Sequence, residues 1–171
     1  MNYILKRMIG FFLILSCIGC TTSSSTSISS TKNPMITYHK TSKGLEEHYE
    51  ISNVEDGAEF DITFYEYVDG SWNQQTKVYS FDKTQNLFLH DYESTFDISY
   101  GNDNYRYEVN RKCATTDDSS CSNMNENKIS GGKEIILFLK YCNSEISQSE
   151  ILEDFYKFKG EYAFIVTFHL K

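Results

Sequence analysis

Residues 60–68 read FDITFYEYV, and their apolar side chains recur at nearly every second position. One face of the extended stretch carries Phe60, Ile62, Phe64 and Val68. Successive side chains of a β-strand point to opposite sides, so this period of two is typical of a strand with one buried face. Aromatic and β-branched residues, which strands favour, fill the stretch. The sequence therefore predicts a half-buried β-strand here.

The same alternation recurs at residues 45–51, 96–100 and 105–109, and turn residues separate these stretches. Asp69-Gly70 directly follows the strand at 60–68 and predicts a type I′ hairpin, since both central residues of that turn need positive φ. Residues 101–104 (GNDN) predict a second hairpin, and Asp56-Gly57 predicts another turn. Short strands joined in this way favour antiparallel pairing.

Two later stretches, 134–142 and 161–170, are apolar on both faces and predict central strands of a sheet. Between them, residues 147–150 (SQSE) have the spacing of a helix capping box. A stripe of Ile151, Leu152, Phe155 and Phe158 follows at helical spacing. The fold class predicted is a mostly β, antiparallel two-sheet β-sandwich of about eight or nine strands, with one short helix near residues 147–158.

The first nineteen residues predict an export signal. Lys6 and Arg7 precede a largely apolar run at residues 8–19. A membrane-spanning helix needs about 20 such residues, so this shorter run is typical of the core of a signal peptide.

The end of that run resembles the lipobox of bacterial lipoproteins, in which a small residue precedes the lipidated cysteine. Gly19 precedes Cys20, and Ser16 precedes Cys17. Cys20 is favoured as the lipid anchor because it leaves the longer apolar core, while Cys17 is the alternative. The resemblance implies a lipid-anchored protein on the extracytoplasmic face of the cell membrane, where several acyl chains on one residue give stable attachment.

A serine- and threonine-rich segment follows the anchor, and residues 20–34 are predicted to form a flexible tether because they have little apolar surface to bury. Residues 35–171 then form the β-sandwich domain. The chain carries 16 basic and 24 acidic side chains, a net charge of −8 that becomes more negative once the signal peptide is removed. An acidic domain of this kind is a poor candidate for binding nucleic acid.

Residues 65–72 (YEYVDGSW) and 161–168 (EYAFIVTF) are similar to segments of small β-sandwich domains in lipoproteins of low-GC gut bacteria. That resemblance implies a fold and a cell-surface setting. It implies no activity.

Motifs of catalysis and of metal binding do not stand out in the sequence. The four histidines, His39, His48, His90 and His169, are scattered, whereas metal sites need clustered ligands. The sequence contains neither a G-x-S-x-G elbow nor an H-E-x-x-H motif, and it has no glycine-rich phosphate loop. We therefore predict no catalytic residue, metal or cofactor.

Three cysteines follow the predicted anchor. Cys113 and Cys121 enclose a polar loop, and in an exported protein this placement predicts a disulfide between them. Cys142 ends an apolar strand and is predicted to be a buried thiol. In the alternative pairing, Cys142 is joined to Cys113 or to Cys121.

The function predicted is that of a non-enzymatic binding or interaction domain, displayed from the membrane through its lipid anchor and contacting a protein or glycan. The alternatives are a glycan-binding or carbohydrate-processing domain, or a structural component of the envelope. Glycan binding would use exposed aromatic rings from the set Tyr65, Tyr67, Trp72, Tyr92, Tyr105 and Tyr107. The sequence leaves the oligomeric state open.

Overall fold

A computed structural model describes residues 33–39, 41, 46–82, 86–92, 94–110, 126–129 and 132–171. Within these ranges the chain forms ten β-strands, one α-helix and one 3₁₀ turn. The strands are β1 (Met35–His39), β2 (Glu46–Ser52), β3 (Glu59–Val68), β4 (Ser71–Ser80), β5 (Asn86–Asp91), β6 (Thr95–Tyr100), β7 (Asp103–Glu108), β8 (Glu126–Lys128), β9 (Ile135–Cys142) and β10 (Tyr162–Leu170). The helix α1 is Gln148–Glu153, and the 3₁₀ turn is Phe155–Lys157.

The strands form two antiparallel sheets. The six-stranded sheet has the order β7-β6-β5-β2-β1-β8, and the four-stranded sheet has the order β4-β3-β10-β9. Side chains from the facing sides of both sheets form one apolar cluster between them. The predicted antiparallel two-sheet β-sandwich is therefore confirmed, with ten strands in the described part of the chain where eight or nine were expected.

Two hairpins have the turns that their sequences predict. Asp69 (φ 53°) and Gly70 (φ 81°) both lie in the left-handed region, as a type I′ turn requires, and they join β3 to β4. Gly101 (φ 58°) starts the two-residue loop between β6 and β7, where only the first central residue has positive φ, which is typical of a type II′ turn.

Aromatic side chains fill the space between the sheets. The ring of Phe60 lies 5.1 Å from Tyr100 on the opposite sheet and 5.1 Å from Phe168 on its own sheet. Phe96 of β6 packs 4.8 Å from Phe138 and 5.2 Å from Phe164 across the sandwich. Each of these rings buries a large apolar area, and pairs of aromatic rings prefer offset or tilted arrangements. The contacts between rings of opposite sheets therefore help to fix how the two sheets face each other.

The helix covers the outer face of the four-stranded sheet. Ser147 accepts a hydrogen bond from the backbone N–H of Glu150, and the Glu150 carboxylate accepts one from the backbone N–H of Ser147, which confirms the predicted capping box. A second apolar cluster consists of Tyr65, Leu139, Ile151, Phe155, Phe158, Ala163 and Ile165. The helical segment thus forms a third layer over that sheet.

Two expectations about this region were wrong in detail. β10 is central, as predicted, but β9 lies at the edge of its sheet. Its apolar character on both faces arises because the core covers one face and the helical segment covers the other. Of the predicted apolar stripe, Ile151, Phe155 and Phe158 are buried in the second cluster, whereas Leu152 is 39% exposed. The α-helix ends at Glu153, and Phe155 lies in the 3₁₀ turn that follows.

Several predictions concern residues outside the described ranges. They are the signal peptide at 1–19, the anchor cysteine Cys20 and its alternative Cys17, most of the tether at 20–34, and the cysteines Cys113 and Cys121. Among the described residues, no helix has both the length and the apolar character needed to cross a membrane.

Candidate binding surface

The outer face of the six-stranded sheet brings together three of the four histidines. We call it the histidine face and define it by His39, Glu46, His48, Glu50, Phe88, His90, Asp97 and Arg106. The odd residues of β2, such as Tyr49 and Ile51, are buried in the core. The even residues therefore point to the outer side, and strand pairing adds outward side chains from β1, β5, β6 and β7.

A row of stacked rings crosses three strands on this face. His39 of β1 pairs in register with His48 of β2, which in turn pairs with Phe88 of β5. The ring centroids of His39 and His48 are 4.9 Å apart, and those of His48 and Phe88 are 4.5 Å apart with an interplanar angle of 13°. The rings stack face to face, so each presents an edge to the solvent.

Carboxylates and amides flank this row. His39 Nε2 lies 3.1 Å from a carboxylate oxygen of Glu50, and His48 Nε2 lies 2.8 Å from the side-chain oxygen of Asn86. The side chains of His39 and Glu50 are each 43% exposed, so this end of the row is open to solvent.

A second row runs beside the first. His90 Nδ1 lies 3.6 Å from Glu46, and its neighbour Asp97 accepts two hydrogen bonds from the Arg106 guanidinium at 2.8 and 2.6 Å. This bidentate contact lowers the pKa of Asp97 below its usual value, and the nearby His90 adds to the effect. The row therefore presents a fixed carboxylate–guanidinium pair next to an imidazole.

A buried carboxylate forms a second notable cluster, inside the sandwich. Glu66 is 5% exposed and projects into the core from β3. It accepts hydrogen bonds from the backbone N–H of Asn110 at 2.6 Å, from the Tyr162 hydroxyl at 3.2 Å and from the Tyr107 hydroxyl at 3.4 Å. Burial, together with the Glu66 charge, raises the pKa of Tyr107 to about 12.

The Glu66 cluster has a structural role. A carboxylate and two phenols could serve acid–base chemistry, but here they bind one another and the carboxylate is buried. Its three donors include a backbone group of the segment after β7, so the cluster fixes that segment to the sandwich. Glu66 was not among the residues predicted to form a site, although the sequence holds a signal for it: it is the one charged residue on the otherwise apolar face of the stretch 60–68.

The aromatic residues proposed for glycan binding are mostly packed into the fold. Tyr65 is buried. Tyr67 packs against Phe158, and Trp72 packs against Phe155 and Phe158, with interplanar angles of 64° to 79°. The indole N–H of Trp72 is itself buried, and no hydrogen-bond acceptor for it lies among the described residues. Rings at such angles do not form a flat platform for a sugar.

The other three of that set lie on or directly beside the six-stranded sheet. Tyr105 and Tyr107 pack partly into the core against Phe64. Tyr92 is 45% exposed and stacks beside His90, with ring centroids 6.3 Å apart. Tyr92 is therefore the member of the set that a ligand can reach most easily.

Cys142 is disulfide-bonded, which corrects the expectation of a buried thiol. The side chain is 2% exposed at the end of β9, opposite Tyr162 of β10. Its partner lies outside the described residues, as do Cys113 and Cys121, so the Cys113–Cys121 pair stays a prediction. The oxidised state of Cys142 agrees with the alternative pairing that the sequence left open.

The histidines do not form a metal site of the usual kind. Within the described ranges, no group of three or more histidine, cysteine, aspartate or glutamate side chains is placed to hold a metal ion. His169 lies near the end of β10 in the other sheet, apart from the histidine face.

Fold and surface together define the class of the molecule: an antiparallel β-sandwich with a polar, histidine-bearing outer sheet face. No known family model, curated protein or solved structure matches the chain.

Proposed function

We propose that this chain is a membrane-anchored lipoprotein of the extracytoplasmic face, and that its β-sandwich is a non-enzymatic interaction domain. The contact surface in this proposal is the histidine face. The supporting observation is the row of His39, His48 and Phe88, which places a partly buried aromatic strip on an otherwise polar sheet face.

Protein interfaces commonly combine an aromatic centre with a polar rim. Phe88 and the two imidazoles supply the centre, and Glu46, Glu50 and the Asp97–Arg106 pair supply the rim. Stacked rings on paired strands are held rigidly, so binding through them costs little side-chain entropy. A protein ligand is therefore the first candidate.

A glycan is the second candidate partner. Tyr92 favours it, because an exposed tyrosine beside His90 offers both a ring face and a hydrogen-bonding edge. A glycan array probed with the purified chain separates the two candidates. The glycan is favoured if the chain binds to the array, Tyr92→Ala abolishes that binding and Phe88→Ala leaves it intact.

The contact surface is tested by photo-crosslinking in intact cells. A photoreactive phenylalanine analogue at position 88 is expected to form a discrete adduct with a partner, and the same analogue at the exposed position 102 serves as the control. If the same crosslinked adducts form at positions 88 and 102, the histidine face is not the contact surface.

The anchor is tested separately by metabolic labelling with an alkyne-bearing fatty acid. Cys20→Ser is expected to abolish the label and release the protein from the membrane fraction, or leave it as an unprocessed precursor. Cys17→Ser is the matched control and should keep the label. Normal labelling of Cys20→Ser would move the anchor to Cys17.

A further inference from the structure

A β-sheet edge exposes unpaired backbone groups, and proteins usually protect such edges against pairing with other chains. The described sheets have four edge strands. β8 has three residues, and β7 has charged side chains at Asp103, Arg106 and Glu108. On β9, the backbone carbonyl of Leu137 accepts a hydrogen bond from the Tyr49 hydroxyl. Each of these three edges is short, charged or partly occupied.

β4 has fewer of these protections. It is ten residues long, reads SWNQQTKVYS and contains neither proline nor a carboxylate. Its pairing with β3 runs through all ten residues without a bulge. Its charged residue, Lys77, lies 5.7 Å from the centre of the Tyr105 ring on the neighbouring sheet. Residues 73–78 are all exposed. The Gln75 side-chain amide also donates a hydrogen bond to the Tyr105 hydroxyl, so β7 contacts β4 through Gln75 and Lys77 on the side that faces the other sheet.

The hairpin geometry shows which backbone groups point outward from β4. In the Asp69-Gly70 turn, the N–H of Ser71 bonds to the carbonyl of Val68, so Ser71 pairs inward with β3. Hydrogen-bonded and free positions alternate along an antiparallel strand. The outward-facing N–H and C=O groups are therefore those of Trp72, Gln74, Thr76, Val78 and Ser80.

We propose that β4 is a dimerisation edge, where a second copy of this chain pairs antiparallel with the first. The two-fold axis passes through Gln75, so Gln74 bonds with Thr76 of the other copy. Trp72 then bonds with Val78 of the other copy. Four of the five outward-facing residues, all except Ser80, are used in this register, and the two four-stranded sheets become one continuous sheet.

Side-chain chemistry supports this register. Val78 is 47% exposed, and pairing places it opposite Trp72 of the second copy, which removes apolar surface from water. Lys77 faces Asn73, so no like charges meet across the axis. The chain as a whole carries a net charge of −8, and β4 is a long segment free of acidic residues, where two copies approach with little repulsion.

Cysteine crosslinking tests the register. Residues on the axis form a close, non-hydrogen-bonded pair with Cα atoms about 4.5 Å apart, within reach of a disulfide. In the full chain in intact cells, Gln75→Cys is expected to give a disulfide-linked dimer under mild oxidation. Ser94→Cys, at an exposed site in the loop between β5 and β6, is the control. Crosslinking of Gln75→Cys no faster than that of Ser94→Cys would overturn the proposal.

Sedimentation of the purified full chain in detergent gives an independent measurement. Gln75→Lys places two positive charges opposite each other and is expected to raise the dimer dissociation constant by about fivefold. Asn102→Lys adds the same charge in a turn away from β4 and should leave that constant unchanged. Circular dichroism checks that both variants are folded. A native chain that stays monomeric at all concentrations, or equal weakening by both variants, would also overturn the proposal.

Discussion

The backbone N–H of Asn110 donates a hydrogen bond of 2.6 Å to the buried carboxylate of Glu66. This contact joins the segment after β7 to the middle of the opposite sheet. Two tyrosine hydroxyls complete the coordination of the carboxylate. A buried ionised group is stable only when its hydrogen bonds are satisfied, so the cluster makes the position of this segment specific.

Replacement of Glu66 should therefore be costly. Glu66→Leu removes the acceptor of three hydrogen bonds, one buried and two part-buried, and we expect it to lower the free energy of unfolding by about 2–4 kcal/mol. Glu66→Gln keeps one acceptor oxygen and should lose less. Denaturant unfolding monitored by circular dichroism measures both, with the exposed Glu153→Gln as the control. A Glu66→Leu variant as stable as the native chain would show that the cluster contributes nothing.

The same cluster predicts a loss of stability at alkaline pH. The pKa of Tyr107 is about 12 in the folded protein, against about 10 for an unfolded tyrosine. Folding therefore favours the neutral phenol. Its contribution is fully present below pH 10 and is lost as the pH rises from about 10 to 12.

Burial also raises the pKa values of Tyr65 and Tyr79, so these residues add to the loss at alkaline pH. Tyr107→Phe should make the decline between pH 10 and pH 11 shallower, because one of the contributing phenols is gone. Unfolding free energies measured at pH 8, 10 and 11 provide the comparison. The Tyr107 assignment fails if the native and variant curves have the same slope.

The third prediction concerns the helical layer. Phe155 is buried against Tyr65 and Trp72, with ring centroids 4.8 and 5.4 Å away. Phe155→Ala should cost about 3–4 kcal/mol through lost burial and the remaining cavity. Trp72 is the single tryptophan of the chain, so its emission should shift to the red as water reaches the ring.

Tyr156→Ala is the matched control for that experiment. Tyr156 is the next residue along the 3₁₀ turn but is 60% exposed, so its loss should change stability far less. If both variants lose the same stability, the helical segment is not anchored through Phe155.

Local patterns in the sequence were sufficient to predict most strands and turns. The alternation at 60–68 and the Asp69-Gly70 turn depend on neighbouring residues, and both are found as expected. The edge position of β9 could not be predicted, because burial by a helix and burial by a neighbouring strand leave the same apolar sequence. Sheet order depends on long-range pairing, which a single sequence does not encode locally.

The candidate surface was harder to predict for the same reason. His39, His48 and Phe88 come from three strands and meet only through the registers of two strand pairs. Each histidine considered alone resembles an ordinary surface residue. Glu66 is different, since a charged residue on an apolar strand face is visible in the sequence and could have been recognised there.

The fourth prediction concerns the covalent partner of Cys142, which is in a disulfide at the end of β9. Cys20 is predicted to be lipidated, and Cys17 is predicted to leave with the signal peptide. The partners that remain are Cys113 and Cys121. A bond from Cys142 to either of them would exclude the Cys113–Cys121 bridge within one chain, so the two pairings compete.

Non-reducing peptide mapping of the native protein distinguishes the two pairings. We expect a crosslinked peptide that contains Cys142, together with a free thiol at whichever of Cys113 and Cys121 is not its partner. Cys113→Ser and Cys121→Ser provide matched variants, since only the loss of the true partner should free the Cys142 thiol for alkylation in the unfolded chain. That loss should also destabilise the domain by about 2–4 kcal/mol, because the crosslink restricts the unfolded chain. A crosslink between Cys113 and Cys121 with a free thiol at Cys142 would instead confirm the bridge predicted from the sequence and contradict the pairing of Cys142.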